Sequence, residues 1–210
     1  MFKNRSDAGK KLAERLWRYK NSNAIVLALP RGGVVVGYEI ARLLGLPLDI
    51  VVARKIGHPQ NPEYAICATD EKGTFLCNEA ETRLVDQDWL KKEIERQRKE
   101  AKRRISVYRG GKKPFPITDK VAIIIDDGIA TGLTMRLAIK ATRGQKPERI
   151  IIAIPVAPSD IVREFRREVD EVVVLESPED FMGAVGAHYR EFEQVKDDTV
   201  IRLALEKSSH

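Results

Sequence analysis

Apolar positions along this chain come in two rhythms, and their alternation predicts the fold. Residues 24–29, 48–53, 121–125, 149–154 and 171–175 are short runs, rich in Val, Ile and Leu, in which mostly consecutive positions are apolar. A strand of that kind has to be covered on both faces, as in a parallel sheet between layers of helices. The segments between these runs keep helical spacing. Ser6 or Asp7 is placed to cap a first helix with Ala8, Leu12, Leu16 and Tyr19 on one face, stopped by residues 21–23. Further helices are expected over 34–44, ended by Gly45, and over 133–142 and 159–167. The expectation is an α/β fold with a doubly wound parallel sheet.

Residues 54–120 break the alternation. Turn-rich stretches flank two short alternating segments, 64–69 and 74–77, and a long charged helix follows over 79–106, with Leu84, Trp89, Leu90, Ile94 and Ile105 on a narrow apolar stripe. This predicts an insertion over 56–118, with a flexible loop and a long helix, inside one domain spanning 1–210. The mixed tail, 176–210, reads as a small C-terminal cap ending in a short helix.

Composition narrows the class. A chain of 210 residues with 43% hydrophobic and 32% charged residues is globular and about one domain in size. No apolar run has the length of a membrane span, and the opening MFKNRSDAGKKLAERL reads as an amphipathic helix rather than a signal peptide. A cytoplasmic location without a membrane partner is expected. Cys67 and Cys77 lack a paired metal-ligand pattern and are expected as reduced thiols. The net charge of +6 suits an anionic partner, but the basic residues cluster on the 79–106 helix among many acids, which argues against nucleic acid.

The chemistry concentrates in VAIIIDDGIATGLT, residues 121–134. A buried strand ends in two carboxylates, and a loop of small residues then opens a helix. Ligands of parallel sheets settle beyond the carboxyl ends of the strands, where a helix N-terminus offers unpaired N–H groups and partial positive charge. A phosphate monoester fits there. Gly128 and Gly132 permit a tight turn, Ala130 keeps the loop open, and the Thr131 and Thr134 hydroxyls can donate to phosphate oxygens. Asp126 and Asp127 would repel that anion unless they bind sugar hydroxyls or face a divalent metal. Paired acids also cap helices or form the acidic pockets of other doubly wound proteins. Those roles do not call for the Gly-Ile-Ala-Thr-Gly run, whereas a phosphate cradle does.

This segment resembles the 5-phosphoribosyl 1-pyrophosphate motif of the type I phosphoribosyltransferase family: four apolar residues, two acids, then Gly-x-Ala-Thr-Gly. The resemblance implies that Asp126 and Asp127 contact the ribose hydroxyls, and that Gly128, Ile129, Ala130, Thr131, Gly132, Leu133 and Thr134 hold the 5-phosphate. It further implies Mg2+, a small heterocyclic acceptor and a homodimer. The opening FKNRSDAGKKLAERL and the tail FMGAVGAHYREFEQVKDD also resemble a group of phosphoribosyltransferase-like proteins of bacteria and archaea.

A second strand-to-helix turn, Pro30-Arg31-Gly32-Gly33, would be only a tight turn if it stood alone. Beside the first motif it resembles the family's pyrophosphate loop, with Gly32 and Gly33 supplying amides and Arg31 positive charge. Lys55, at the expected end of the 48–53 strand, is placed to stabilise the leaving pyrophosphate. Residues 57–64 fit a lid that excludes water, with His58 as a loop residue.

The implied reaction transfers phosphoribosyl to a ring nitrogen with release of pyrophosphate, and Asp126, Asp127 and Arg31 are its candidate catalytic residues. Family members acting on hypoxanthine and guanine carry an acid where this chain has Ala130, which leaves Glu63 or a tail acid as candidate general bases. Phe181 is placed either to stack on a base or to join the core. The rival from another class is a regulatory module that binds the same donor, or a nucleotide, without turnover.

Overall fold

The computed structural model describes residues 1–179, 181 and 184–207, the side chains of Glu63 and Lys207 excepted. Five parallel strands form the main sheet: β1 (Ala24–Ala28), β2 (Leu48–Ile50), β6 (Val121–Ile125), β7 (Arg149–Val156) and β8 (Glu171–Glu176), in the order β2-β1-β6-β7-β8. Strand order reverses between β1 and β6, so the crevice at their carboxyl ends is the switch point of the sheet.

The consecutive apolar runs have the predicted cause. Alternate residues of one strand enter two different cores: Ile123 and Ile125 face one, while Ala122 and Ile124 face the other. The first core is closed by α1 (Arg5–Arg15), α2 (Gly32–Leu44), α4 (Gln87–Arg109) and α7 (Asp197–Lys207), and the second by α5 (Leu133–Arg143) and α6 (Ser159–Glu168). Burying one such Ile contributes on the order of 1.5–3 kcal/mol, which is why a central strand tolerates no polar residue on either face.

Several expectations need correction. The first helix is capped by Asn4, whose side chain accepts from the Asp7 amide, not by Ser6 or Asp7. Strand β2 stops at Ile50. Arg54 and Lys55 therefore do not end a core strand; they open β3 (Arg54–His58) of a second, antiparallel sheet with β4 (Asn61–Thr69) and β5 (Phe75–Cys77). Most of the expected lid loop, 57–64, lies in the β3–β4 hairpin, where His58 pairs with Asn61. The expected helix over 79–106 is interrupted: α3 (Glu79–Thr82) ends, and the Asp86 carboxylate caps a new start by accepting from the Trp89 amide at 2.6 Å. Leu84 falls in the break and is 80% exposed instead of joining the stripe. Four arginines of α4 are paired along their own helix, Arg96 with Glu93, Arg98 with Glu95, and Arg103 and Arg104 with Glu100, while Arg109 reaches Asp49 of β2.

Cys67 and Cys77 were expected reduced and are joined in a disulfide. The register of β4 with β5 sets them directly opposite each other, a proximity invisible in their spacing. Closing a loop of this size restricts the unfolded chain by roughly 2–3 kcal/mol in the entropic account. Cys77→Ser, or a reductant, is expected to make the β4–β5 hairpin protease-sensitive while the five-stranded core keeps its melting transition. Equal protease resistance with and without reductant would contradict this.

The tail does more than continue beyond β8. A 3-10 turn, Val185–His188, leads to Tyr189, which bridges to Phe2, and α7 then crosses to pack on α2 and α4. Among the described residues, no helix is long and apolar enough to cross a membrane.

Candidate active site

Two strand-to-helix turns meet at the β1–β6 switch point. The Leu29 amide donates to the Ile125 carbonyl at 2.9 Å, which carries the pairing of the two strands into their turns. Both helices that begin here, α2 after Arg31 and α5 after Gly132, start without a side-chain cap, as does α6, whereas α1 and α4 are capped by Asn4 and Asp86. The first amides of α2 and α5 are thus open to an external acceptor. Gly132 adopts a φ of +77°, a conformation that glycine takes without the penalty of a Cβ. The loop before it leaves Ala130 and Thr131 exposed, while Ile129 is buried, its amide bonded to the Val156 carbonyl. Leu133 and Thr134 form the half-buried first turn of α5.

The turns are in contact. A Cβ on Gly32 would lie 1.8 Å from Asp127 Oδ2, and one on Gly33 would lie 2.9 Å from the Asp126 Cα. Only glycine lets the two carboxylates cross the start of α2. Asp126 Oδ1 accepts from the Asp127 amide at 2.8 Å, and Asp127 Oδ2 accepts from Arg5 Nε at 2.6 Å. Asp126 Oδ1 and Asp127 Oδ2 are thus engaged by the protein, and the two acid side chains also interact with each other. Burial, reinforced by the neighbouring charge of Asp127, pushes the Asp126 carboxyl well above its ordinary range.

The Arg31 side chain is one-third exposed, and its guanidinium lies 3.7 Å from Asp197 Oδ1 at the start of α7. That carboxylate also accepts from the Tyr108 hydroxyl of α4 at 2.8 Å. Burial, then the bond to Asp197, pushes Tyr108 up to about 12. The expected cluster therefore divides. Gly32 and Gly33 lie against Asp127 and Asp126, with Arg31 and the 128–134 loop adjoining them in the turns after β1 and β6, while Lys55 is carried by β3 of the small sheet, opposite Ala68. The side chain of Glu63 lies outside the described residues. Phe181 stacks on His188, with ring centroids 5.4 Å apart, and packs with Val156 and Tyr189.

Three contributors escaped the sequence reading. Arg5 holds Asp127, Asp197 faces Arg31, and Tyr189 donates its hydroxyl to the Asp127 carbonyl at 2.6 Å. All three come from the ends of the chain. The opening FKNRSDAGKKLAERL contains Arg5, and the tail FMGAVGAHYREFEQVKDD contains Tyr189 and Asp197, but nothing in either segment singled these residues out. A Cβ on Gly9 would lie 2.7 Å from the Val36 carbonyl, so α1 packs on α2 at a distance only glycine permits. An open cavity of about 480 Å³ abuts Arg5, lined also by Val35, Glu193, Lys196 and Thr199.

A parallel sheet whose switch point carries two uncapped helix starts and a pair of acids is the architecture of the type I phosphoribosyltransferases. Residues 2–191 match the model of the phosphoribosyl transferase domain, and the chain belongs to that family. It is 41% identical over 203 residues, 96% of its length, to a Mycobacterium tuberculosis protein named "Putative phosphoribosyl transferase Rv0571c", and equally to its counterpart in another strain of that organism. The chain spans about half the length of these curated relatives, 46% of each. The crystal structure of TT1426 from Thermus thermophilus superimposes with a TM-score of 0.83 at 39% identity and 99% coverage of both chains.

Proposed function

We propose that this chain transfers a 5-phosphoribosyl group from 5-phosphoribosyl 1-pyrophosphate to a nitrogenous base or similar acceptor, releasing pyrophosphate. One observation carries the reading. Two uncapped helix starts flank two adjacent carboxylates that lie against the start of α2. Two anionic groups and a vicinal diol are what such a set complements.

In this reading the 5-phosphate takes the amides and hydroxyls of 128–134, the diol takes the carboxylates of Asp126 and Asp127, and the pyrophosphate takes Arg31 with the amides at Gly32 and Gly33. The bond from ribose C1 to the pyrophosphate oxygen breaks, its electron pair leaves with pyrophosphate, and a ring nitrogen of the acceptor bonds to C1 as its proton is released to solvent or to the leaving pyrophosphate. Arg31 stabilises the growing negative charge, while the acids favour the cationic sugar. Lys55 and the β3–β4 hairpin are proposed to approach from the insertion and exclude water.

Among the described residues, no group of three His, Cys, Asp or Glu could cage a metal. Asp126 and Asp127 fit magnesium in the other way usual for it, one or two carboxylates together with phosphate oxygens of the substrate. Held there, it would neutralise charge on the leaving pyrophosphate.

The test is to incubate the protein with magnesium, the donor and a panel of nucleobases and related heterocycles, and to follow pyrophosphate. Release that depends on one acceptor is expected. Tight donor binding with no release across the panel would favour a regulatory module instead. Thr134→Val is expected to weaken donor binding about tenfold, since a hydrogen bond to a charged group contributes roughly 1.5 kcal/mol or more; unchanged affinity by calorimetry would remove Thr134 from the cradle.

A further inference from the structure

Asp127 is held from outside its own loop, whereas Asp126 is bonded within it. Its carboxylate would be free to turn about χ2, a torsion with a broad profile, and to offer either oxygen. Two neighbours prevent this. Gly32 lets Oδ2 lie against the start of α2, and Arg5 Nε binds that same oxygen at 2.6 Å. The guanidinium is itself fixed three ways: Nε to Asp127, NH1 to the Glu193 carbonyl at 2.8 Å, and its face on the Phe192 ring at 3.7 Å from the centroid. Its side chain is only 11% exposed. The helix that carries it is anchored by Ser6, which donates to Glu39 of α2 at 2.6 Å, and by the close approach at Gly9.

We propose that Arg5 is a positioning residue for Asp127: by holding Oδ2 it fixes the orientation of the carboxylate beside Asp126, and so determines selectivity for a sugar with an intact diol. The inference rests on the donor reading above and deepens it. A buried guanidinium with three partners is a fixture rather than a plug that swings aside. Fixing the carboxylate before the sugar arrives removes an ordering cost from binding, and the benefit reaches only ligands with hydroxyls to read. Ligands gripped by phosphate alone are indifferent to it.

The test compares ribose 5-phosphate with 2,3-dideoxyribose 5-phosphate as calorimetric probes of the parent, Arg5→Met and Arg5→Lys. The parent is expected to prefer ribose 5-phosphate. In Arg5→Met that preference should fall about tenfold, the scale of one charge-assisted hydrogen bond, with dideoxyribose 5-phosphate affinity kept within about threefold. Arg5→Lys, which keeps the charge but not the three-way fixation, should fall between. If Arg5→Met does not fold, an unchanged preference in Arg5→Lys overturns the inference by itself. Equal loss for both sugars, an unchanged ratio, or tighter binding of ribose 5-phosphate in either variant also overturns it. A parent that binds neither sugar, or does not distinguish them, refutes the donor reading itself.

Discussion

Asp126→Asn is expected to melt above the parent at pH 7 and to bind the phosphoribosyl donor at least a hundredfold more weakly. Both effects follow from one carboxyl. Burial, then the charge of Asp127, raises Asp126 above its ordinary value of 3.8, so the folded state favours the protonated acid. A raised carboxyl contributes stability that is fully present below that ordinary value and is lost as pH rises through the folded one. At neutral pH, far above the ordinary value, the unfolded chain has already released the proton that the folded state favours keeping, so the acid costs stability there. Asparagine removes the charge and retains the Oδ1 that accepts from the Asp127 amide.

The gain should appear as a rise of a few degrees, since about 1 kcal/mol moves the melting point of a chain this size by roughly 2–4 °C. It should vanish in scans at pH below 3.8. Donor binding should fall because an amide is a poorer acceptor for a sugar hydroxyl and presents an N–H toward it. A variant that is less stable at pH 7, or that binds donor normally, would show that Asp126 is a structural cap.

The second large effect is expected at Gly32→Ala. The added carbon would lie 1.8 Å from Asp127 Oδ2, 2.4 Å from its Cγ and 2.7 Å from Arg5 Nε. No rotamer relieves a clash made by Cβ, so either the carboxylate leaves Arg5 or the start of α2 moves. Either change displaces a diol acceptor and the neighbouring amides together. Donor affinity should fall more than a hundredfold, with a stability loss of roughly 1–3 kcal/mol from overpacking. Gly144→Ala is the control, because a Cβ there meets only carbonyl oxygens at 3.5 Å and beyond; it should bind and melt like the parent. Normal donor affinity in Gly32→Ala would mean that the carboxylates act independently of the α2 turn.

How much of this was legible in the sequence depends on the range of the interactions. The strand ending in Asp126 and Asp127 and the loop to α5 were readable because apolar run, acids and glycines lie within fourteen consecutive positions, 121–134. The Pro30-Arg31-Gly32-Gly33 turn was readable for the same local reason. Arg5 was not, since it meets Asp127 across 122 positions and carries no pattern of its own. Asp197 and Tyr189 reach the crevice only because the tail crosses the sheet.

The insertion was legible in part. The alternating segments 64–69 and 74–77 fall in β4 and β5, but β3 is partly polar and pairs only with β4, so its residues read as a core strand end and a lid, and nothing in the spacing showed the register that sets Cys67 against Cys77. The break at Leu84 was local and legible in hindsight, because Asp86 three positions before Trp89 is an N-cap within an otherwise helical stretch.

The most direct measurement is a crystal structure with magnesium and 5-phosphoribosyl 1-pyrophosphate bound. The account predicts the 5-phosphate on the amides of 131–134, the two ribose hydroxyls within hydrogen-bond reach of Asp126 and Asp127, and the pyrophosphate on residues 31–33. A donor seated away from the β1–β6 crevice, with both carboxylates still facing only protein, would contradict it.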